Sequence, residues 1–64
     1  MRYMNALKYT WVVTIYSSNK DEKIDIQTEE AESLYDAVRV VLRFKPKRGY
    51  SIFKYDIERC FRLV

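Results

Sequence analysis

Between Lys8 and Ser17 the apolar side chains fall at every second position, as Tyr9, Trp11, Val13 and Ile15, and this run constrains the fold more than any other feature. A period of two belongs to a β-strand, whose successive side chains point to opposite faces. One face of this strand is strongly apolar and has to be covered. The other carries Thr10, Val12, Thr14 and Tyr16 and is mixed.

Ser17-Ser18-Asn19-Lys20-Asp21 follows, a cluster of side chains that bond to their own backbone and reverse the chain without glycine. A second strand is expected in Lys23–Thr28, where alternation is strict and places Ile24 and Ile26 inward. The acidic Glu29, Glu30 and Glu32 then lead to Ser33, whose hydroxyl can cap a helix, with Asp36 three residues on. Leu34, Ala37, Val38, Val41 and Leu42 form one stripe at helical spacing, and Asp36, Arg39 and Arg43 form another. Acids near the start and Arg43, Lys45 and Lys47 near the end both suit the helix dipole.

Pro46 disfavours helical geometry at the residue before it and Gly49 permits a tight turn, so the helix should stop near Phe44 or Lys45. A last strand from Tyr50 would turn Phe53, Tyr55 and Ile57 inward and Ile52, Lys54, Asp56 and Glu58 outward. Arg59 breaks that parity, which suggests a bulge or strand end near Arg59 and Cys60. The elements predict an α+β fold of order ββαβ, a three-stranded antiparallel sheet of order 2-1-3 with one helix packed on one face. Residues 1–64 form a single small domain in this reading, with 1–7 either extending the first strand or lying outside it as a disordered segment.

Composition narrows the function. A chain of 64 residues hides only about 60% of the surface its unfolded form exposes, so each large apolar side chain matters. Ten aromatic residues against a single Gly and a single Pro argue for regular elements with few loops. The lone Cys60 cannot form an internal disulfide, and Met1–Asn5 lacks the long apolar stretch of a signal peptide, which points to a reducing cytoplasm. No apolar run approaches the roughly 20 residues that cross a bilayer, so no membrane role is expected. Charge is uneven: residues 1–36 carry −3 and residues 37–64 carry +6.

Histidine is absent, which removes the commonest general base and metal ligand. Without a Gly-rich phosphate loop, a cysteine cluster or a Ser-His or Cys-His pair, the chain is not expected to be an enzyme or to hold a metal or cofactor. Asp56 and Glu58 read as solvated surface, Cys60 as a small buried apolar residue, and Trp11 as core.

Two surfaces remain. Arg39, Arg43, Lys45, Lys47 and Arg48, with Lys54, could follow a phosphate backbone, although the run lacks the interleaved aromatics that stack on bases. The bare sheet face would expose Val12, Tyr16 and Ile52 among Thr10, Thr14, Gln27 and Lys54, an apolar patch with a charged rim of the kind that partners recognise. The expected protein contacts are Tyr16 and Ile52 as apolar anchors, with Lys54, Arg39 and Arg43 as charged ones.

Glu32 to Tyr50, containing Glu-Ser-Leu-Tyr-Asp-Ala, the apolar helix, Pro46 and Gly49-Tyr50, resembles the small RNA-polymerase inhibitors of T7-like coliphages. The strand ending in Ser17-Ser18 and the element order are similar too, and some anti-CRISPR proteins share the pattern. The resemblance implies an acidic contact residue at Tyr16 and two arginines at Lys54 and Asp56, of which only Lys54 keeps the sign. It implies a phage or mobile-element inhibitor of a host nucleic-acid-handling machine, either RNA polymerase or a CRISPR effector, working in the host cytoplasm. The other readings are a small basic DNA- or RNA-binding protein and a homodimeric structural or assembly factor.

Overall fold

The computed structural model describes residues 7–63, so residues 1–6, most of the segment read as disordered or strand-extending, lie outside the described residues. Four elements follow one another: β1 (Leu7–Ser18), β2 (Ile24–Ala31), α1 (Leu34–Arg43) and β3 (Ser51–Leu63). The sheet has order β2-β1-β3, with β1 antiparallel to both neighbours. The helix packs across β1 and β2 on one face. This is the α+β arrangement that the alternating and helical periods predict.

Local chemistry explains each boundary. In the β1–β2 turn the Asn19 side-chain carbonyl accepts from the amides of Asp21 (2.9 Å) and Lys23 (3.0 Å), which lets the chain reverse without glycine. Ser33 caps α1, its hydroxyl accepting from the Asp36 amide at 3.0 Å. The helix ends at Arg43: Phe44 is already extended, and Pro46 disfavours helical geometry at Lys45, the residue before it. Gly49 then takes the left-handed conformation, φ 86°, and the Tyr50 amide donates to the Lys47 carbonyl at 2.9 Å.

The core is small. Val13, Ile15, Ala31 and Ala37 are buried, with Trp11, Val40, Val41, Phe44 and Ile57 packed around them. β2 is longer than its isoleucine alternation suggests, because pairing with β1 carries it through Glu29 and Glu30 to Ala31, which lies opposite Trp11.

That pairing corrects the expected facing of β2. Ala31, Gln27 and Asp25 stand opposite Trp11, Ile15 and Ser17 on the helix side, so Ile26 and Ile24, opposite Tyr16 and Ser18, point to the bare face. Alternation alone leaves a two-fold choice of face, and burial of Ala31 beneath the helix settles it. Asp25 is accommodated on the helix side by Lys47, whose Nζ lies 3.3 Å from Oδ1, and by Gln27, whose Nε2 donates to Oδ2 at 3.1 Å.

The irregularity expected near Arg59 and Cys60 is absent, since Trp11 and Thr10 pair with them in regular register. Arg59 stays on the helix side, its guanidinium 4.7 Å from the Tyr9 ring centre and 5.9 Å from that of Trp11. Cys60 is half-buried rather than enclosed. The bulge lies instead at Phe53: Tyr16 pairs with Lys54 and Ser17 with Ile52, leaving Phe53 the extra residue.

Candidate docking surface on the bare sheet face

Residues directly opposite one another on antiparallel strands share a face, so the register fixes the composition of the side that α1 leaves uncovered. β1 contributes Thr10, Val12, Thr14 and Tyr16; β2 contributes Ile24, Ile26, Thr28 and Glu30; β3 contributes Lys54, Asp56, Glu58 and Cys60. Phe53 joins them through the bulge, its ring centre 6.2 Å from that of Tyr16.

These residues sort along the strands. Near the β1–β2 turn, Tyr16 is flanked by Ile26 on one side and Phe53 on the other, with Ile24 beyond. Ile24, Ile26 and Phe53 are 60%, 57% and 55% exposed, values that a core would not tolerate in residues of this kind. Lys54 closes the patch, its ammonium 5.1 Å from the Tyr16 ring centre and 3.8 Å from the Asp56 carboxylate. A threonine pair, Thr14 opposite Thr28, separates this end from a more acidic one. There Glu30 and Glu58 flank Val12 on its two sides, with backbones about 10 Å apart across β1.

The site anticipated from sequence is partly assembled. Tyr16 and Lys54 are brought together as expected. Ile52 is not with them, because the bulge turns it to the helix side opposite Ser17, and Phe53 stands where Ile52 was expected. Arg39 and Arg43 lie in the other layer, on the flank of α1 that faces β2, and share no surface with Tyr16. Alternation in the sequence turns Ile24, Ile26 and Phe53 toward the core, and the strand register places them on the bare face instead.

The basic residues do not form one surface. Arg39, Arg43 and Lys45 line an open groove together with the acidic Glu29, Glu30, Glu32 and Asp36. Lys47 is engaged by Asp25 and lies 5.7 Å from the Tyr50 ring centre, and Lys54 is on the far face. The acidic side chains in its lining oppose the phosphate that its basic ones attract.

Among the described residues no group of three or more histidine, cysteine or acidic side chains could hold a metal ion. Among them also, no helix is long and apolar enough to cross a membrane. Fold and surface together define a class: a small α+β domain with an uncovered, aromatic-aliphatic sheet face. No protein-family model matches the chain, and no curated protein or solved structure shows significant similarity to it.

Proposed function

We propose that this chain is a non-enzymatic protein-binding module that docks through the bare face of its sheet and inhibits a bacterial nucleic-acid-handling protein, of the kind represented by RNA polymerase or a CRISPR effector. The observation that carries the reading is the contiguous patch of Tyr16, Ile24, Ile26 and Phe53 on the face opposite the helix. Aromatic and aliphatic anchors of this type supply most of the affinity in protein interfaces. Lys54, Asp56 and Glu58 on β3 give the patch a charged rim.

The acidic end of the same face favours a nucleic-acid-handling partner over nucleic acid itself. Asp56 and Glu58 suit the cationic surfaces with which such proteins hold phosphates, and they oppose phosphate directly. An inhibitor of that kind would act in the cytoplasm of the host cell.

The test is affinity capture from bacterial lysate with the tagged chain and two variants, Ile26→Asp and Arg43→Glu, followed by mass identification. The original chain and Arg43→Glu should retain the same nucleic-acid-handling protein, and Ile26→Asp should lose it. Equal retention by Ile26→Asp would remove the bare face as the docking surface. Retention that disappears after nuclease treatment would move the binding to nucleic acid.

A further inference from the structure

The helix carries more apolar surface than its own sheet covers. Ala37, Val40, Val41 and Phe44 face the strands, while Arg39 and Arg43 line the flank toward β2. At 100° per residue, Leu34, Val38 and Leu42 fall on the opposite flank, toward β3, and extend the apolar arc to about 200°, well beyond the ~100° stripe of a helix that covers one sheet. Leu42 is 78% exposed and Leu34 half exposed. Tyr35, which points away from the sheet, is more exposed still than Leu34.

Beside that flank lies a strip of sheet that no described residue covers. The helix packs on β1 and β2, so the helix-side residues of β3 and the adjoining end of β1 are left open: Tyr55 is 52% exposed, and Phe61 and Tyr9 are similarly bare, their ring centres 4.6 Å apart. Among the described side chains of β1 and β3 on this side, Arg59 alone is charged, and it is already stacked on Tyr9 and Trp11.

We infer that the occupant of this strip is α1 of a second copy of the chain. One molecule carries both halves of a helix-on-sheet contact, a ridge and a shelf, side by side on one face, and a two-fold axis satisfies both at once by laying each ridge on the other's shelf. The two sheets then face each other with the two helices side by side between them. Leu34 and Val38 meet their counterparts across the axis, and Leu42 and Tyr35 rest on the partner's shelf. Leu34, Tyr35, Val38 and Leu42 on the ridge and Tyr9, Tyr55 and Phe61 on the shelf are 41–78% exposed, so that covering all of them would remove roughly 800 Å² per copy from water, the share each partner gives to an interface of standard size. The charges brought to its edge are Arg59 on the shelf and Arg39 beside Tyr35, both stacked on aromatic rings, an arrangement that lets a guanidinium sit against an apolar surface. The bare faces stay outward, so the dimer goes beyond the proposed docking function and does not depend on it.

Sedimentation equilibrium of the full chain tests this, with Leu42→Glu to break the ridge and Ile26→Asp as a control on the far face. Both residues are largely exposed, so both variants should fold, and far-UV circular dichroism verifies that they do. The chain should dimerise at micromolar concentration, Leu42→Glu should weaken dimerisation about thirtyfold or more, and Ile26→Asp should leave it unchanged. A chain that stays monomeric up to about 100 μM overturns the proposal. So does a dimer that survives Leu42→Glu or is lost with Ile26→Asp.

Discussion

The Lys47 ammonium lies 3.3 Å from the Asp25 carboxylate, tying the loop after α1 to the edge strand β2. The contact exists because β2 turns Asp25, not its neighbouring isoleucines, to the helix side. The hydrogen bond from Gln27 and then the Lys47 ammonium hold the Asp25 carboxyl below its ordinary value of 3.8. A carboxyl with a lowered folded-state pKa adds stability above its unfolded value and loses it as pH falls through the folded one. Asp25→Asn should therefore flatten the acid limb of a stability-against-pH curve below about pH 5. In a carboxyl-resolved NMR titration, Gln27→Ala should move the Asp25 midpoint upward, and Lys47→Met should do so as well.

Ser17 supplies a second prediction. Its side chain is 1% exposed, and its hydroxyl has no hydrogen-bond partner among the described residues. A buried hydroxyl without a partner forfeits its bonds to water, at a cost of about 1–3 kcal/mol. Ser17→Ala should leave the fold unchanged and raise stability by about 1 kcal/mol, measured by urea unfolding. Ser17→Val, which adds volume between the closely paired strands, should lower it.

The helix start rests on one side chain. The Ser33 hydroxyl accepts from the Asp36 amide at 3.0 Å, and α1 has only ten residues. So short a helix depends on its cap and its packing, and Ser33→Ala should cost about 1 kcal/mol in the same unfolding measurement. Ser33→Asp, which keeps an acceptor and adds negative charge at the positive end of the dipole, should recover that loss.

How much of this was legible in the sequence follows from what each signal encodes. The cap at Ser33, the stop before Pro46 and the turn at Gly49 are local events between neighbouring residues, and they stand where the sequence places them. Strand order followed from β1 holding the richest apolar alternation. The facing of Ile24 and Ile26 did not, because a strict alternation reads equally well on either side until the partner strand fixes its register. Tyr16 and Lys54 were found because β1 and the middle of β3 are regular, whereas Ile52 was misplaced by a bulge with no glycine or proline to announce it. Arg39 and Arg43 were joined to Tyr16 by charge alone, and charge does not reveal which layer a side chain occupies.

The bulge itself yields the sharpest prediction. Phe53 is the one residue of β3 without a partner on β1: Lys54 stands opposite Tyr16 and Ile52 opposite Ser17, which are consecutive on β1. Removing Phe53 would therefore leave every remaining pair in place and convert the ladder to a regular one. Deletion of Phe53 should leave the protein folded, with stability within about 1 kcal/mol of the original, while weakening partner binding through loss of the ring beside Tyr16. Deletion of Ile57, four residues further on, is the contrast. Whichever side of the gap shifts to close it, Asp56 or Glu58 is brought opposite the fully buried Val13, and the chain should unfold. Near-equal stability of the two deletions, compared by thermal unfolding, would show that the register drawn here for β1 and β3 is wrong.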